Sequence, residues 1–263
     1  MPNDIVRWRQ RAKQQRAKVF WFFFSKKNPF TYHVAVDMTA APIHVAGERL
    51  MLDPAGAAYW PATRTLIVAD LHFEKGSAAA ARGSLLPPWD TRATLDLLAG
   101  LLRRYSPARV IALGDTFHDR AAAARLLRDD RTRLATMAAA VPFVWVLGNH
   151  DPEPAEGIPG TYVADLRAAP FLFRHEAEMG AKGELSGHFH PKATIPVRGT
   201  AVTRPCFVAD AARLLLPALG AYTGGLDVAD PAIARLFPRG GRIFLLGRDR
   251  LFSFPMAPRR AGK

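Results

Sequence analysis

Three short stretches of this sequence, residues 66–69 (LIVA), 110–113 (VIAL) and 143–146 (FVWV), are uninterrupted apolar runs that break off into residues costly to bury. A strand with no polar alternation is covered on both faces, which is the habit of parallel strands inside an α/β layer structure. Between the first two runs, Leu95, Leu98, Leu101 and Leu102 recur at helical spacing, with Asp90 or Thr91 placed to cap a helix ending at Tyr105. A second Ala-, Leu- and Arg-rich helical stretch reaches about Ala140 before the third run. Strand, helix, strand, helix, strand in this order requires right-handed crossovers and a parallel sheet covered by helices. The segment between, FEKGSAAAARGSLLPP (73–88), reads as a loop.

Around this centre the chain changes character twice. Residues 43–45, 50–52 and 58–60 are short strands separated by turn material at 53–56. After residue 165 the pattern becomes short strands and turns, PFLFRHE, GELSGHFHP, KATIPVRG, CFVAD and GRIFLLGRDRLFSF, which reads as a mostly antiparallel half. Residues 1–37 stand apart as a basic stretch followed by an aromatic cluster and SKKNPF. The expected organisation is therefore a basic N-terminal extension (1–37), disordered or from an overextended translation start, one domain (38–255), and a basic C-terminal tail (256–263).

With 49% apolar and 22% charged residues the chain has the composition of a globular protein, and no apolar run approaches the ~20 residues that span a bilayer, so no membrane partner is expected. Cys206 is the only cysteine, which excludes an internal disulfide, points to a cytoplasmic setting, and suits a small buried apolar role. The formal net charge is +13, of which residues 1–37 carry +6, and a basic balance favours polyanionic partners.

The three apolar runs end in Asp70 and His72, in Gly114 and Asp115, and in Gly148, Asn149, His150 and Asp151. In open α/β sheets ligands collect beyond the carboxyl ends of the strands, so these residues are expected to converge. The second half adds His175 after PFLFR, and Gly187, His188, Phe189 and His190. In extended chain, residues i and i+2 share a side, so Asp70 with His72, and His188 with His190, can each reach one cation. Glycines before Asp115, Asn149 and His188 let backbone pass close to a crowded centre. Oxygen and imidazole donors without thiolate suit Mn²⁺, Fe or Zn²⁺, and paired metals sharing a carboxylate are equipped to hydrolyse phosphate esters.

The series DLH, GD, GNHD, H and GHFH, in that order over residues 48–210, resembles the calcineurin-like metallophosphoesterases. ADLHFEKG, LGDTFHD, GNHD and SGHFHP more narrowly resemble the bacterial ligase-associated DNA damage response phosphoesterases. The resemblance implies a β-sandwich core flanked by helices with a metal site at the strand C-terminal ends. It assigns Asp70, His72 and His190 to a first metal, Asp115 as a bridge, and Asn149, His175 and His188 to a second, with His150 beside the scissile phosphate to stabilise or protonate the leaving oxygen. It also implies a metal-bridging hydroxide as nucleophile, two divalent ions with Mn²⁺ foremost, DNA as substrate, and an ATP-dependent DNA ligase and its repair proteins as partners.

One departure concerns His150. Many relatives carry GDxxD, whose second acid orients the catalytic His; here that position is His118, leaving Asp119 or Asp151 for the task. Asp151 is therefore included with Asn149 and His150 among the catalytic candidates. His33 and His44 read as structural residues, and Glu74 and Lys75 as a solvated loop. Arg82, Arg92, Lys182, Lys192, Arg198 and Arg204 are available to a phosphate backbone but read mainly as surface charge. Rival functions are hydrolysis of a cyclic nucleotide or phosphomonoester and a non-catalytic scaffold, against which the full ligand set argues.

Overall fold

The computed structural model describes residues 40–258 apart from 85 and 198. The chain divides into Met1–Val34 and Ala35–Lys263, and the described residues belong to the second unit. The expectations for the 1–37 extension and His33, and for the last residues of the 256–263 tail, lie outside the described residues.

An antiparallel meander, β1 (Ala41–Val45), β2 (Glu48–Leu52) and β3 (Ala58–Trp60), leads into β4 (Thr65–Val68). Pairing then turns parallel through β5 (Arg109–Leu113), β6 (Phe143–Val146) and β7 (Thr161–Val163), so the first sheet follows chain order. The second sheet is built from β8 (Leu166–Ala168), β9 (Phe171–Arg174), β10 (Glu184–Ser186), β11 (Lys192–Val197), β12 (Thr200–Ala209), β13 (Arg213–Leu215), β14 (Gly241–Leu246) and β15 (Leu251–Met256). Its order is β15-β14-β12-β13-β10-β9-β8, with β11 paired to β12. Most of these pairings are antiparallel, as the turn-rich sequence implies, but β9, β10 and β13 run parallel. That trio carries the His175 and His188 loops to one end.

The uninterrupted runs are buried on both faces because they separate two cores. Leu66, Val68, Val110 and Ala112 face a layer of helices, meeting Leu95, Leu98 and Leu101 of α2 (Asp90–Tyr105) and Leu134 and Ala138 of α4 (Arg128–Ala140). Ile67, Ala69, Ile111 and Leu113 face the other way, against Phe171, Phe173, Leu185, Phe207 and Leu214 of the second sheet. With each such side chain contributing about 1.5–3 kcal/mol on burial, apolar packing holds the sheets face to face and leaves the loops at their ends free for chemistry. A third cluster covers the outer face of the second sheet, where Cys206, Val208 and Ile243 meet Phe237 and Ile233, the latter on α5 (Pro231–Ala234). Cys206 is fully buried there, and burial pushes its thiol up to about 12, consistent with an inert packing role.

Three local expectations are corrected. The presumed loop after Phe73 contains a helix, α1 (Lys75–Ala81), whose alanine run has high helix propensity, and a short α3 (Ala122–Arg125) precedes α4. Asp90 is not the cap of its own helix: its carboxylate accepts the Gly76 N–H of α1 at 2.9 Å, while Thr91 Oγ1 accepts the Glu74 N–H and donates to Glu74 Oε1 at 2.8 Å. His44 is exposed on β1 rather than packed.

At the start of β10, Glu184 is fully buried between Arg213 at 3.3 Å and Arg174 at 3.7 Å, and its carboxylate accepts the Glu178 N–H at 3.0 Å.

Candidate metal centre

The loops after β4 and β5 are zipped together through their backbones. Asp70 N donates to Gly114 O at 3.3 Å, His72 N to Asp115 O at 2.9 Å, and Phe73 N to Thr116 O at 2.9 Å. This pairing holds Asp70 (φ 52°), His72 (φ 44°) and Asp115 (φ 45°) in the left-handed region, and His188 (φ 72°) and His190 (φ 46°) share it. Such conformations are disfavoured for residues other than glycine and persist where the surroundings enforce them. The expected extended i, i+2 pairing is thus replaced by a left-handed turn at each residue. Asp70 and His72 still reach one point, but His188 and His190 part company.

Asp70, His72 and His190 form one group of converging donors: His72 Nε2 lies 3.1 Å from His190 Nε2, and His190 Nε2 lies 3.4 Å from Asp70 Oδ1. Asp115, His175 and His188 form a second, with His175 Nε2 3.0 Å from His188 Nδ1, 3.4 Å from Asp115 Oδ2 and 2.9 Å from Asn149 Oδ1. Asp115 Oδ2 also lies 3.7 Å from His72 Nε2, so this single oxygen faces both groups. Donors about 3 Å apart are what an ion with ~2.0–2.2 Å bonds to nitrogen and oxygen gathers around itself. The remaining ligand-side atoms are tied down. Asp115 Oδ1 accepts the His150 N–H, Asp70 accepts the His188 N–H, and His175 Nδ1 donates to Leu113 O, which leaves Nε2 directed at the centre. Gly114, Gly148 and Gly187 are required by this crowding: a Cβ at these positions would overlap the His175 ring, Asp115 and Asp70 respectively.

Charge in the protein alone is unevenly distributed over these donors. Burial drives His72 down to about 2, and lowers His188 together with the neighbouring His175 charge, so both imidazoles offer lone pairs. Burial also opposes charge on His175, but its hydrogen bond to Asp115 and the carboxylates of Asp70 and Asp115 raise it to about 9. For Asp115 burial acts upward, yet His175 and the His150 N–H outweigh it and bring the carboxyl down to about 2.

His150 stands at the rim with its side chain 40% exposed and Nε2 3.9 Å from Asp115 Oδ2. Its Nδ1 donates to the backbone carbonyl of His118 at 2.7 Å, so neither carboxylate that the sequence offered orients it. Asp119 is engaged by both terminal nitrogens of Arg125, and Asp151 accepts the Phe117 and Gly148 N–H groups at 3.1 Å each, stapling the loops after β5 and β6. The structure thus places Asp151 as a loop anchor, with its carboxyl raised to about 6 chiefly by burial. The His118 ring stacks on His150 at 5.3 Å and brings its Nδ1 to 3.5 Å from His72 Nδ1. Sequence reasoning missed the orienting contact because a backbone carbonyl leaves no letter behind.

The Calcineurin-like phosphoesterase family profile matches residues 63–195, the segment that holds all seven ligand-side residues and the strands that carry them. Among solved structures, a nuclease of Pseudomonas putida, MPE, is similar over 81% of this chain and 100% of that chain, at 32% identity and a TM-score of 0.65. Yfce, a phosphoesterase from E. coli, aligns over 73% of this chain and 98% of that chain, at 14% identity and a TM-score of 0.38. No protein of curated function matches the sequence. The chain belongs to the calcineurin-like phosphoesterases, a family that works with divalent metal ions. Its two sheets and the helical layer on the first match the expected fold. Among the described residues no helix is long and apolar enough to cross a membrane.

Proposed function

We propose that this phosphoesterase is a cytoplasmic phosphodiesterase that cuts DNA in the course of repair, acting alongside an ATP-dependent DNA ligase and using two divalent ions, Mn²⁺ foremost. The observation that carries the reading is the placing of Asp115 Oδ2 within 3.7 Å of His72 Nε2 and 3.4 Å of His175 Nε2, between two donor groups and beside His150. Similarity to a nuclease over that chain's whole length and the net charge of +13 support a polyanionic substrate. Asp70, His72 and His190 would hold one ion, Asn149, His175 and His188 the other, with Asp115 shared. Divalent ions there supply Lewis acidity to the phosphoryl oxygens and acidify water.

The rest is the work of the chain. The Asn149 amide uses its oxygen towards the centre and retains N–H groups for a phosphate oxygen. With Nδ1–H committed to His118 O, His150 presents Nε2 to the cleft, where a proton can be held for the departing oxygen. The close-packed glycines and the Asp151 staple keep the loops from relaxing away from substrate.

The test is Mn²⁺-supplemented digestion of end-labelled single-stranded DNA by wild-type and His150→Ala protein, beside bis-p-nitrophenyl phosphate and p-nitrophenyl phosphate. Wild type is expected to cut DNA and the diester, and His150→Ala to lose roughly 10²–10⁴-fold in kcat, the range of general acid catalysis. Retained monoester hydrolysis without diester or DNA cleavage would instead establish a small-molecule phosphoesterase.

A further inference from the structure

Two lysines flank the first donor group in a way that surface charge does not explain. Lys75 opens α1 three residues beyond His72, and Lys192 opens β11 two residues beyond His190, while the His72 and His190 rings themselves meet at 3.1 Å. Both lysines are half-buried. Lys75 makes no hydrogen bond or ion pair to any described residue; Asp90, whose carboxylate accepts the Gly76 N–H, acts on it through space alone, and Glu74 accepts from Thr91. Lys192 Nζ meets a backbone carbonyl, Thr223 O at 3.3 Å, and no carboxylate. The Lys192 stem passes Gly225 so closely that a Cβ there would come within 3.1 Å of its Cε.

Burial, and after it the Lys192 charge, lowers Lys75 from its ordinary value against the opposing pull of Asp90. Half-buried like charges that no ion pair neutralises are unfavourable in the protein alone and become favourable when an anion binds them both. Tyr222, 43% exposed, adjoins the carbonyl that Lys192 grips and offers an aromatic ring of the kind on which nucleic-acid bases stack.

We infer that Lys75 and Lys192 form a second phosphate-binding subsite, which takes the phosphate next to the one being cut and so selects a polynucleotide over an ester with a single phosphate. This rests on the phosphodiesterase reading above. Lys75 was expected to belong to a solvated loop; its place in a helix, half-buried and unpaired, is what turns it into a recognition residue.

The experiment compares wild type with the double variant Lys75→Ala/Lys192→Ala on an end-labelled single-stranded oligonucleotide and on bis-p-nitrophenyl phosphate, with melting curves confirming folding. The oligonucleotide kcat/KM should fall at least tenfold further than that of the small diester, chiefly through KM. The salt dependence of oligonucleotide binding should lose roughly 0.7 of log–log slope, the share of one phosphate contact on a single strand. Lys75→Arg/Lys192→Arg should recover most of the loss. If the double variant does not fold, Lys75→Gln and Lys192→Gln carry the same comparison singly. Proportional losses on both substrates, or none on the oligonucleotide, overturn the subsite alone. A wild-type protein that hydrolyses the diester but never the oligonucleotide overturns both the subsite and the nuclease reading.

Discussion

The two sheets bring unlike chemistry to one place. Loops of the first sheet supply every oxygen donor, Asp70, Asp115 and Asn149, and one imidazole, His72; loops of the second supply imidazoles alone, His175, His188 and His190. The first set is braced within its own sheet by the backbone zipper between the β4 and β5 loops. The second is docked onto the first: His175 leans on Leu113 O, and the His188 N–H is held by the Asp70 carboxylate. A hard, self-supporting half therefore meets a softer half whose position depends on it, and an ion held by donors of both would tie the sheets together.

The largest effect should come from the residue that faces both groups. Asp115→Ala is expected to lose both ions and at least ~10³-fold in activity, equivalent to about 4 kcal/mol of transition-state stabilisation. His190→Ala, confined to one group, should retain one ion per chain. Elemental analysis of purified variants beside diester hydrolysis decides this, and an Asp115→Ala protein still carrying two ions would break the comparison.

A second test concerns the proton that links the halves. The folded pKa of His175, about 9, lies above the ordinary 6.5, so the stabilisation from its pairing with Asp115 is complete below pH 6.5 and is lost as pH rises through 9. Chelator-treated protein should therefore melt at progressively lower temperature across that window. Ion uptake at pH 7 should release about one proton, because the metal takes the place it occupied. Calorimetry in buffers of different ionisation enthalpy measures the proton, and a melting temperature indifferent to pH between 6.5 and 9 would show that the pairing adds nothing.

The smallest effect separates two residues within the softer half. His190 has a left-handed backbone, whereas His175 is absent from the positive-φ residues. In metal-free protein, His190→Gly should be more stable than His190→Ala by ~1 kcal/mol, and the order should reverse at His175. Urea denaturation of the four variants reads the sign directly.

What the sequence disclosed follows the same division. LIVA, VIAL and FVWV were legible because strands buried on both faces carry no polar residue, and their ends announced Asp70, Asp115 and Asn149. The short β7, β8 and β13 escaped notice, two of them half-exposed and without a clear period. Asp90 looked like a cap for the helix it begins, and only the fold shows it capping another. The convergence of the seven ligand-side residues followed from motif order, but the left-handed turns that achieve it depend on backbone bonds between loops far apart in sequence. The tether on His150 was illegible for the same reason, since any residue at position 118 supplies a carbonyl.

Glu184 gives the second sheet a check on its own assembly. In the native pairing it lies opposite Leu172 and Arg213, with the Arg174 guanidinium within 3.7 Å. Sliding β10 by one position would turn this acid towards the opposite face, away from both cations, and stranding a buried charge costs about 3–5 kcal/mol. The acid works as an alignment pin: misregistered sheets, which would aim His175 and His188 at the wrong points, carry this penalty whether or not an ion is bound.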